Sequence, residues 1–273
     1  MNRSTIVACG CGTVSYWTVQ TLLRSGSIEG LTRLVLCDRA RIREHNSITC
    51  PAYTQVGRPK SDRLAELSCQ WSTNQNVEIR AIHGYVEQIQ WDDIVPAPEN
   101  SRGSKLVVLV ALDNWESRLT VAEDLRHYSA STSTEVIMIQ VGLDRGQASI
   151  AVLGCRFSDP CPACGLLSLP APEPCVLLNV ENELLRGDLH LESKAAAGLV
   201  EQIIIDSLGS SKLRSLINTK TNLTKISSGD YERFTRSCQM VRDCLGPHTP
   251  ATPIRWDKVM APIGAEGDEH DLS

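Results

Sequence analysis

Short apolar runs separated by helical patterns dominate the first 150 residues of the chain. Continuous apolar segments at 6–9, 34–37 and 106–111 predict strands that are buried on both faces. Residues 136–141 and 148–153 predict further strands of the same kind. Residues 77–82 also fit a strand, since their apolar and polar positions alternate.

Between these strands, apolar residues recur three or four positions apart. This spacing predicts helices over 14–24, 60–69 and 115–128, and an amphipathic helix over 194–208. Strands that alternate with helices pair in parallel through right-handed crossovers. The pattern therefore predicts an α/β fold with a Rossmann-like, doubly wound, mostly parallel sheet and helices on both faces.

Composition and charge exclude several classes of protein. The 273 residues are 42% hydrophobic and 22% charged, which is ordinary for a globular protein, and the net charge of -5 argues against nucleic-acid binding. We find no apolar run near the roughly 18 residues of a membrane span. The first residues do not resemble a signal peptide. We therefore expect a cytoplasmic protein that binds neither nucleic acid nor membrane.

A glycine turn follows the first predicted strand. Gly10 and Gly12 would let the backbone approach a phosphate at the start of the next helix, although Ser15 replaces the third glycine of the dinucleotide-binding pattern. Asp38 ends the second predicted strand, where a carboxylate can bind ribose hydroxyls. Together these residues predict a nucleotide site, the alternative being a turn and an aspartate that serve only the fold.

Two further charged residues indicate which nucleotide. Lys60 stands at the start of a predicted helix and can neutralise phosphate oxygens. Asp113 follows the strongest predicted strand, at the sheet edge where ligands bind, and can hold Mg²⁺. This pair favours ATP with magnesium over a nicotinamide dinucleotide. An NAD-dependent oxidoreductase remains an alternative.

At this point the sequence resembles the ThiF/MoeB/HesA family of adenylating enzymes, which are related to ubiquitin-activating enzymes. The resemblance covers roughly residues 4–245. It rests on the order and spacing of several motifs, namely Gly10-Cys11-Gly12, Asp38, Asn46, Gly57-Arg58-Pro59-Lys60, Asp113-Asn114 with Arg118, Gly146-Gln147 and Cys161-Pro162-Ala163-Cys164.

The resemblance implies ATP-dependent adenylation of a C-terminal glycine carboxylate on a ubiquitin-like or sulfur-carrier protein, with a peptide as another possible substrate. By position, Asp38 would bind ribose, and Asn46 and Lys60 would contact the phosphates. Arg58 is a further candidate for nucleotide binding, and Asp113 would hold Mg²⁺. The family also implies a homodimer.

Two positions depart from the family pattern. Ala40 stands where the family usually has a second acidic residue, and Thr49 stands where it usually has an arginine. These departures leave open a degenerate, noncatalytic member that acts as a partner-binding module. Arg39 is expected to be a solvated side chain, and His83 is expected to be an ordinary surface histidine or one whose hydrogen bonds are satisfied.

The second half of the chain is rich in cysteine. Cys161 and Cys164 form a knuckle that can present two thiolates to one zinc. Cys238 and Cys244 lie about where the family places its second pair of zinc ligands, and His248 could replace one of them.

Cys175 lies on a proline-rich stretch where family members that form thioesters or persulfides have their cysteine. The alternative for Cys175 is an incidental loop cysteine.

We expect three regions along the chain: a nucleotide-binding region over 1–145, a carrier-binding and zinc-knuckle region with an antiparallel extension over 146–250, and a C-terminal tail over 251–273.

The zinc assignment makes a prediction about metal content. Elemental analysis of the purified protein is expected to find about one zinc per chain, because four thiolates form a closed structural site. Replacing Cys161 and Cys164 by serine should remove this zinc, whereas replacing Cys69, which lies outside the predicted ligand set, should not. A parent protein without zinc would exclude the four-ligand site.

Overall fold

The computed structural model describes most of the chain, with gaps between the ranges. The described residues are 4–26, 28, 30–95, 104–132, 134–144, 147–160, 183–209, 217–227 and 230–237.

Among the described residues, eight strands form one sheet in the order β3-β2-β1-β4-β5-β6-β7-β8. The strands are β1 Ser4–Cys9, β2 Leu31–Cys37, β3 Glu78–Ile82, β4 Lys105–Val110, β5 Glu135–Asp144, β6 Gln147–Gly154, β7 Thr219–Ser227 and β8 Asp230–Ser237. The first five pair in parallel, and β6, β7 and β8 are added antiparallel to them. The predicted α/β sheet of Rossmann-like type is confirmed.

Within the described ranges, six helices connect the strands, together with a 3₁₀ turn at Val86–Gln88. They are α1 Thr13–Ser25, α2 Asn46–Thr49, α3 Lys60–Trp71, α4 Trp91–Ile94, α5 Trp115–Ser131 and α6 Glu183–Gly209. The helix predicted over 194–208 is therefore longer than expected. None of the helices within the described ranges combines the length and apolarity that a membrane crossing needs.

Side chains of each central strand alternate between two hydrophobic layers. Ile6 and Ala8 of β1 belong to the layer covered by α1, α3 and α6, whereas Val7 and Cys9 belong to the layer covered by α4 and α5. This arrangement explains the continuous apolar runs, because each such strand is buried on both faces. The prediction of helices on both faces is confirmed.

The topology creates a crevice at one edge of the sheet. In the sheet, β2 lies on one side of β1 and β4 lies on the other side. The loops that follow the carboxyl ends of β1 and β4 therefore lead away from each other. Open α/β sheets bind ligands at such a point. Gly10, in the loop after β1, has φ +91°, and a Cβ on it would lie 2.6 Å from the carbonyl oxygen of Ala111 in the loop after β4.

This contact predicts different effects of alanine at two nearby glycines. Gly10→Ala should lower the free energy of unfolding by on the order of 3 kcal/mol, because a side chain there is strained and strikes backbone. Gly12→Ala should fold normally, since Gly12 has φ -79° and a Cβ there meets nothing within 4 Å. Urea unfolding of both variants measures the difference, and equal stabilities would contradict the close approach at Gly10.

Candidate nucleotide-binding site

The Asp38 carboxylate ties the glycine loop to the loop after β2. Its Oδ2 accepts a hydrogen bond from the Cys11 backbone N–H at 2.6 Å, and its Oδ1 accepts one from the Ala40 N–H at 2.7 Å. Each carboxylate oxygen can accept a further hydrogen bond. Asp38 therefore shapes the turn and can still accept from two hydroxyl groups of a ribose.

The start of α1 faces the crevice. Gly12 is its N-cap residue, no side chain caps the helix there, and no acidic residue lies in its first turn. The first N–H groups of a helix lack partners within the helix and attract anions. The Tyr53 hydroxyl supports this loop by donating to the Cys11 carbonyl at 2.8 Å. The geometry suits a phosphate group at the N-terminus of α1.

Lys60 is brought to the same loop. It is the first residue of α3, and its backbone N–H donates to the Ala40 carbonyl at 3.0 Å. Burial raises the pKa of the Cys11 thiol well above its ordinary value, and the nearby positive charge of Lys60 acts in the opposite direction. Within the described residues, the Lys60 ammonium forms no ion pair. It is therefore available to a phosphate.

Asn46 and Arg58 are engaged with their own surroundings. The Asn46 Oδ1 accepts from the Arg43 N–H at 2.8 Å. The Arg58 guanidinium donates to Gln55 at 2.6 Å and pairs with Glu66 on α3. These contacts order the loop between β2 and α3, so the predicted nucleotide contacts of both residues stay predictions.

Asp113 lies on a well-supported segment. It is exposed, and the residues around it are anchored at three points. Gly10 lies against the Ala111 carbonyl, the Arg118 side chain binds the Leu112 carbonyl, and Asn114 caps α5 by accepting from the Ser117 N–H at 2.7 Å. The carboxylate is therefore presented to solvent from a backbone that these contacts anchor.

This arrangement fits magnesium in one respect. Mg²⁺ in nucleotide sites commonly takes one or two carboxylates and obtains its other ligands from phosphates and water. Asp113 offers such a carboxylate and forms no ion pair within the described ranges. In that part of the chain, no group of three or more His, Cys, Asp or Glu residues could hold a metal by itself.

Sequence reasoning missed one pair of residues beside Asp38. Arg39 is exposed, as expected, but its guanidinium lies 4.8 Å from the centroid of the Tyr85 ring. The pKa of Arg39 is raised by its hydrogen bond to Tyr85 and by the charges of Asp113 and Glu87, while desolvation acts the other way. His83, expected to be a surface or satisfied histidine, is exposed and has its Nδ1 3.2 Å from the Asp38 carbonyl oxygen. The position of Arg39 directly after Asp38 was the available signal.

Thr49, which replaces the family arginine, belongs to a helix contact. Its hydroxyl hydrogen-bonds to that of Thr13 at 3.0 Å, and its carbonyl accepts from the indole N–H of Trp17 at 3.0 Å. Thr49 thus fastens α2 to the first two turns of α1. Ala40, the other departure, contributes only its backbone, which bonds to Asp38 and Lys60.

The second group of predicted residues lies outside the described ranges. These residues are the expected zinc ligands Cys161, Cys164, Cys238 and Cys244, with His248, and the candidate nucleophile Cys175.

The comparisons with known proteins bear on the fold. No protein family and no curated protein matches the sequence. Among solved structures, E. coli MccB superposes with a TM-score of 0.59 and 15% identity, covering 91% of this chain and 66% of MccB. MccB with ATP gives a TM-score of 0.58 and 15% identity, covering 88% and 64%. PaaA gives 0.55 and 13%, covering 86% and 73%.

The chain has a ThiF-like fold. MccB is an adenylating enzyme of the ThiF/MoeB family, so the resemblance seen in the sequence extends to the fold. At these identities the likeness concerns the fold alone. The chain spans just under two thirds of the length of MccB.

The burial of the site cysteines makes a prediction about thiol reactivity. Burial raises the pKa of Cys37 to about 12 and that of Cys50 to about 11, so these thiols stay protonated at pH 8 and present no nucleophilic thiolate. Iodoacetamide should therefore label the exposed Cys69 quickly and Cys11, Cys37 and Cys50 only after unfolding. Peptide mapping by mass spectrometry measures this, and rapid labelling of Cys11 in the folded protein would contradict its burial.

Proposed function

We propose that this chain uses ATP to adenylate the C-terminal carboxylate of a peptide or small carrier protein. One observation supports the proposal: Asp38 joins the glycine loop to the loop that binds the backbone of Lys60, and Gly10 lies against Ala111 in the loop that leads to Asp113. In the described part of the chain, neither Lys60 nor Asp113 forms an ion pair. A triphosphate with its magnesium is a ligand whose charges complement both groups. The ThiF-like fold supports the same function.

The proposed reaction joins the substrate to AMP. A carboxylate oxygen of the substrate attacks the α-phosphorus of ATP, the bond between the α-phosphorus and its bridging oxygen breaks, and pyrophosphate leaves. The N-terminus of α1 and the Lys60 ammonium hold the phosphates and stabilise the charge that builds up on them. Mg²⁺, held by Asp113, would neutralise phosphate oxygens. No protein group needs to move a proton in this step, because the attacking carboxylate is already ionised at neutral pH.

The base of the nucleotide would lie beside Asp38. With the phosphates at α1 and the ribose on Asp38, the base extends towards the ends of β2 and β3, where Arg39 and Tyr85 stack. Guanidinium planes and aromatic rings both form favourable stacking contacts with nucleobases. The negative charges of Asp113 and Glu87, which act on Arg39, disfavour an additional phosphate there, and this argues against NADP.

The class of substrate is a second part of the proposal. MccB has been solved with its peptide MccA, including a ternary complex with AMPCPP, and this supports a peptide as the substrate of the present chain. A ubiquitin-like or sulfur-carrier protein ending in glycine is the second candidate, drawn from the sequence resemblance. Transfer to Cys175, homodimerisation and a zinc knuckle belong to that resemblance as well.

A noncatalytic module is the competing function. The observation that favours it is Thr49, whose hydroxyl is hydrogen-bonded to Thr13 where the family has an arginine. A module of this kind would bind nucleotide without exchanging pyrophosphate.

Asp113→Asn tests the proposal directly. The parent protein is tested with a panel of peptides and of carrier proteins that end in Gly-Gly. It should catalyse exchange between pyrophosphate and ATP with at least one of these substrates. Asp113→Asn keeps the shape of the side chain but loses its charge, so we expect exchange and Mg²⁺-dependent AMPCPP binding to fall about tenfold or more. Asp92→Asn, at an exposed position on α4, is the matched control and should behave like the parent.

Each other outcome favours a different function. AMPCPP binding without exchange on any substrate of the panel supports the noncatalytic module. Binding of NADH in place of AMPCPP supports the oxidoreductase. Full exchange in Asp113→Asn removes the magnesium role from Asp113.

A further inference from the structure

Arg118 is a buried cation next to the proposed magnesium ligand. Only 3% of its surface is exposed, although it carries a full guanidinium. Its Nε donates to the Leu112 carbonyl at 2.9 Å, and its Nη2 donates both to that carbonyl and to the Val141 carbonyl, the latter at 2.7 Å. The Leu112 carbonyl belongs to the peptide bond that leads into Asp113, so the guanidinium holds the backbone at the point where the carboxylate begins.

The location of these bonds explains why a side chain is needed there. The parallel pairing of β4 with β5 ends at Val110 and Gln140. Beyond that pair, β5 continues to Asp144 against β6, whereas the chain after β4 turns towards α5. The Leu112 and Val141 carbonyls therefore lie just past the end of the β4–β5 pairing, and the Arg118 guanidinium donates to both of them. Arg118 thus links the chain after β4 to β5 on the side of the crevice where Asp113 lies.

A structural role alone explains Arg118 poorly. Burying a guanidinium is costly, and within the described ranges Arg118 forms no ion pair with a carboxylate to offset that cost. Neutral donors would satisfy two carbonyls without burying a charge. Burial lowers the pKa of Arg118 to about 10, and the charge of the neighbouring Asp113 carboxylate acts in the opposite direction. The buried Arg118 guanidinium and the backbone that it binds thus both lie beside the exposed Asp113 carboxylate.

We propose that Arg118 is a positioning residue that sets the place and orientation of the Asp113 carboxylate, and thereby the affinity of the site for Mg²⁺ with nucleotide. This inference rests on the proposed function, because it needs Asp113 to hold the ion. Residues that orient a metal ligand from behind commonly change metal affinity about 10- to 100-fold when they are removed.

The test compares two buried arginines of the same helix. Arg126 also lies on α5, is 1% exposed and donates to a backbone carbonyl, that of Asp159 at 2.7 Å, but it is two turns further along. Arg118→Met and Arg126→Met remove the same group from the same helix. Arg118→Lys keeps the charge but loses the planar fork that reaches both carbonyls.

The measurement is a Mg²⁺ titration of AMPCPP binding by calorimetry on the full chain, with thermal unfolding recorded for every variant. We expect both methionine variants to lower Tm. Arg118→Met should raise the Mg²⁺ concentration for half-saturation about tenfold while leaving metal-free AMPCPP binding in EDTA unchanged, and Arg118→Lys should recover part of the loss. Arg126→Met should titrate like the parent.

The inference on Arg118 can fail separately from the proposed function. If the parent binds AMPCPP with Mg²⁺ and Arg118→Met titrates like Arg126→Met, the positioning role is wrong and the function stands. If the parent shows no Mg²⁺-dependent binding, the proposed function fails first. If Arg118→Met does not fold, Arg118→Lys with an unchanged Mg²⁺ titration and a lowered Tm would still overturn the inference.

Discussion

The two hydrogen bonds accepted by Asp38 hold the site together. One oxygen of its carboxylate accepts from the backbone of the glycine loop after β1, and the other oxygen accepts from Ala40 in the loop after β2. Without this link the two strand ends would carry independent loops, and Lys60, which is bound to the Ala40 carbonyl, would have no fixed relation to the start of α1. A residue that suits ribose is therefore also the residue that builds the pocket. Charge-assisted bonds to backbone N–H groups are strong enough for that role.

A second constraint works on the opposite side of β1. Gly10 allows the loop after β1 to lie against the Ala111 carbonyl, and Arg118 holds the next peptide. Asp113, on the acidic side of the crevice, follows the end of β4. Lys60, on the basic side, is bonded through its backbone to the loop after β2. Such preorganisation reduces the rearrangement that a charged ligand would otherwise require.

The sequence predicted the parts of this site that depend on local pattern. Gly10 and Asp38 each follow an apolar run, so their place at the sheet edge was readable without a structure. The stack of Arg39 on Tyr85 was not, because it joins two segments that only the pairing of β2 with β3 brings together. Likewise, nothing near Arg118 in the sequence names the Leu112 and Val141 carbonyls as its partners. The strands β7 and β8 were missed because threonine, lysine and other polar residues occupy them, and α2 is too short to show a helical period.

The contact between α1 and α2 has a consequence for observing this protein. The Trp17 indole donates to the Thr49 carbonyl, and the Lys194 ammonium from α6 lies 4.2 Å from its ring centroid. Indole emission is sensitive to both kinds of neighbour. One tryptophan thus lies at the junction of three helices, one turn from the N-terminus of α1, and forms a natural optical reporter of how that helix end is packed.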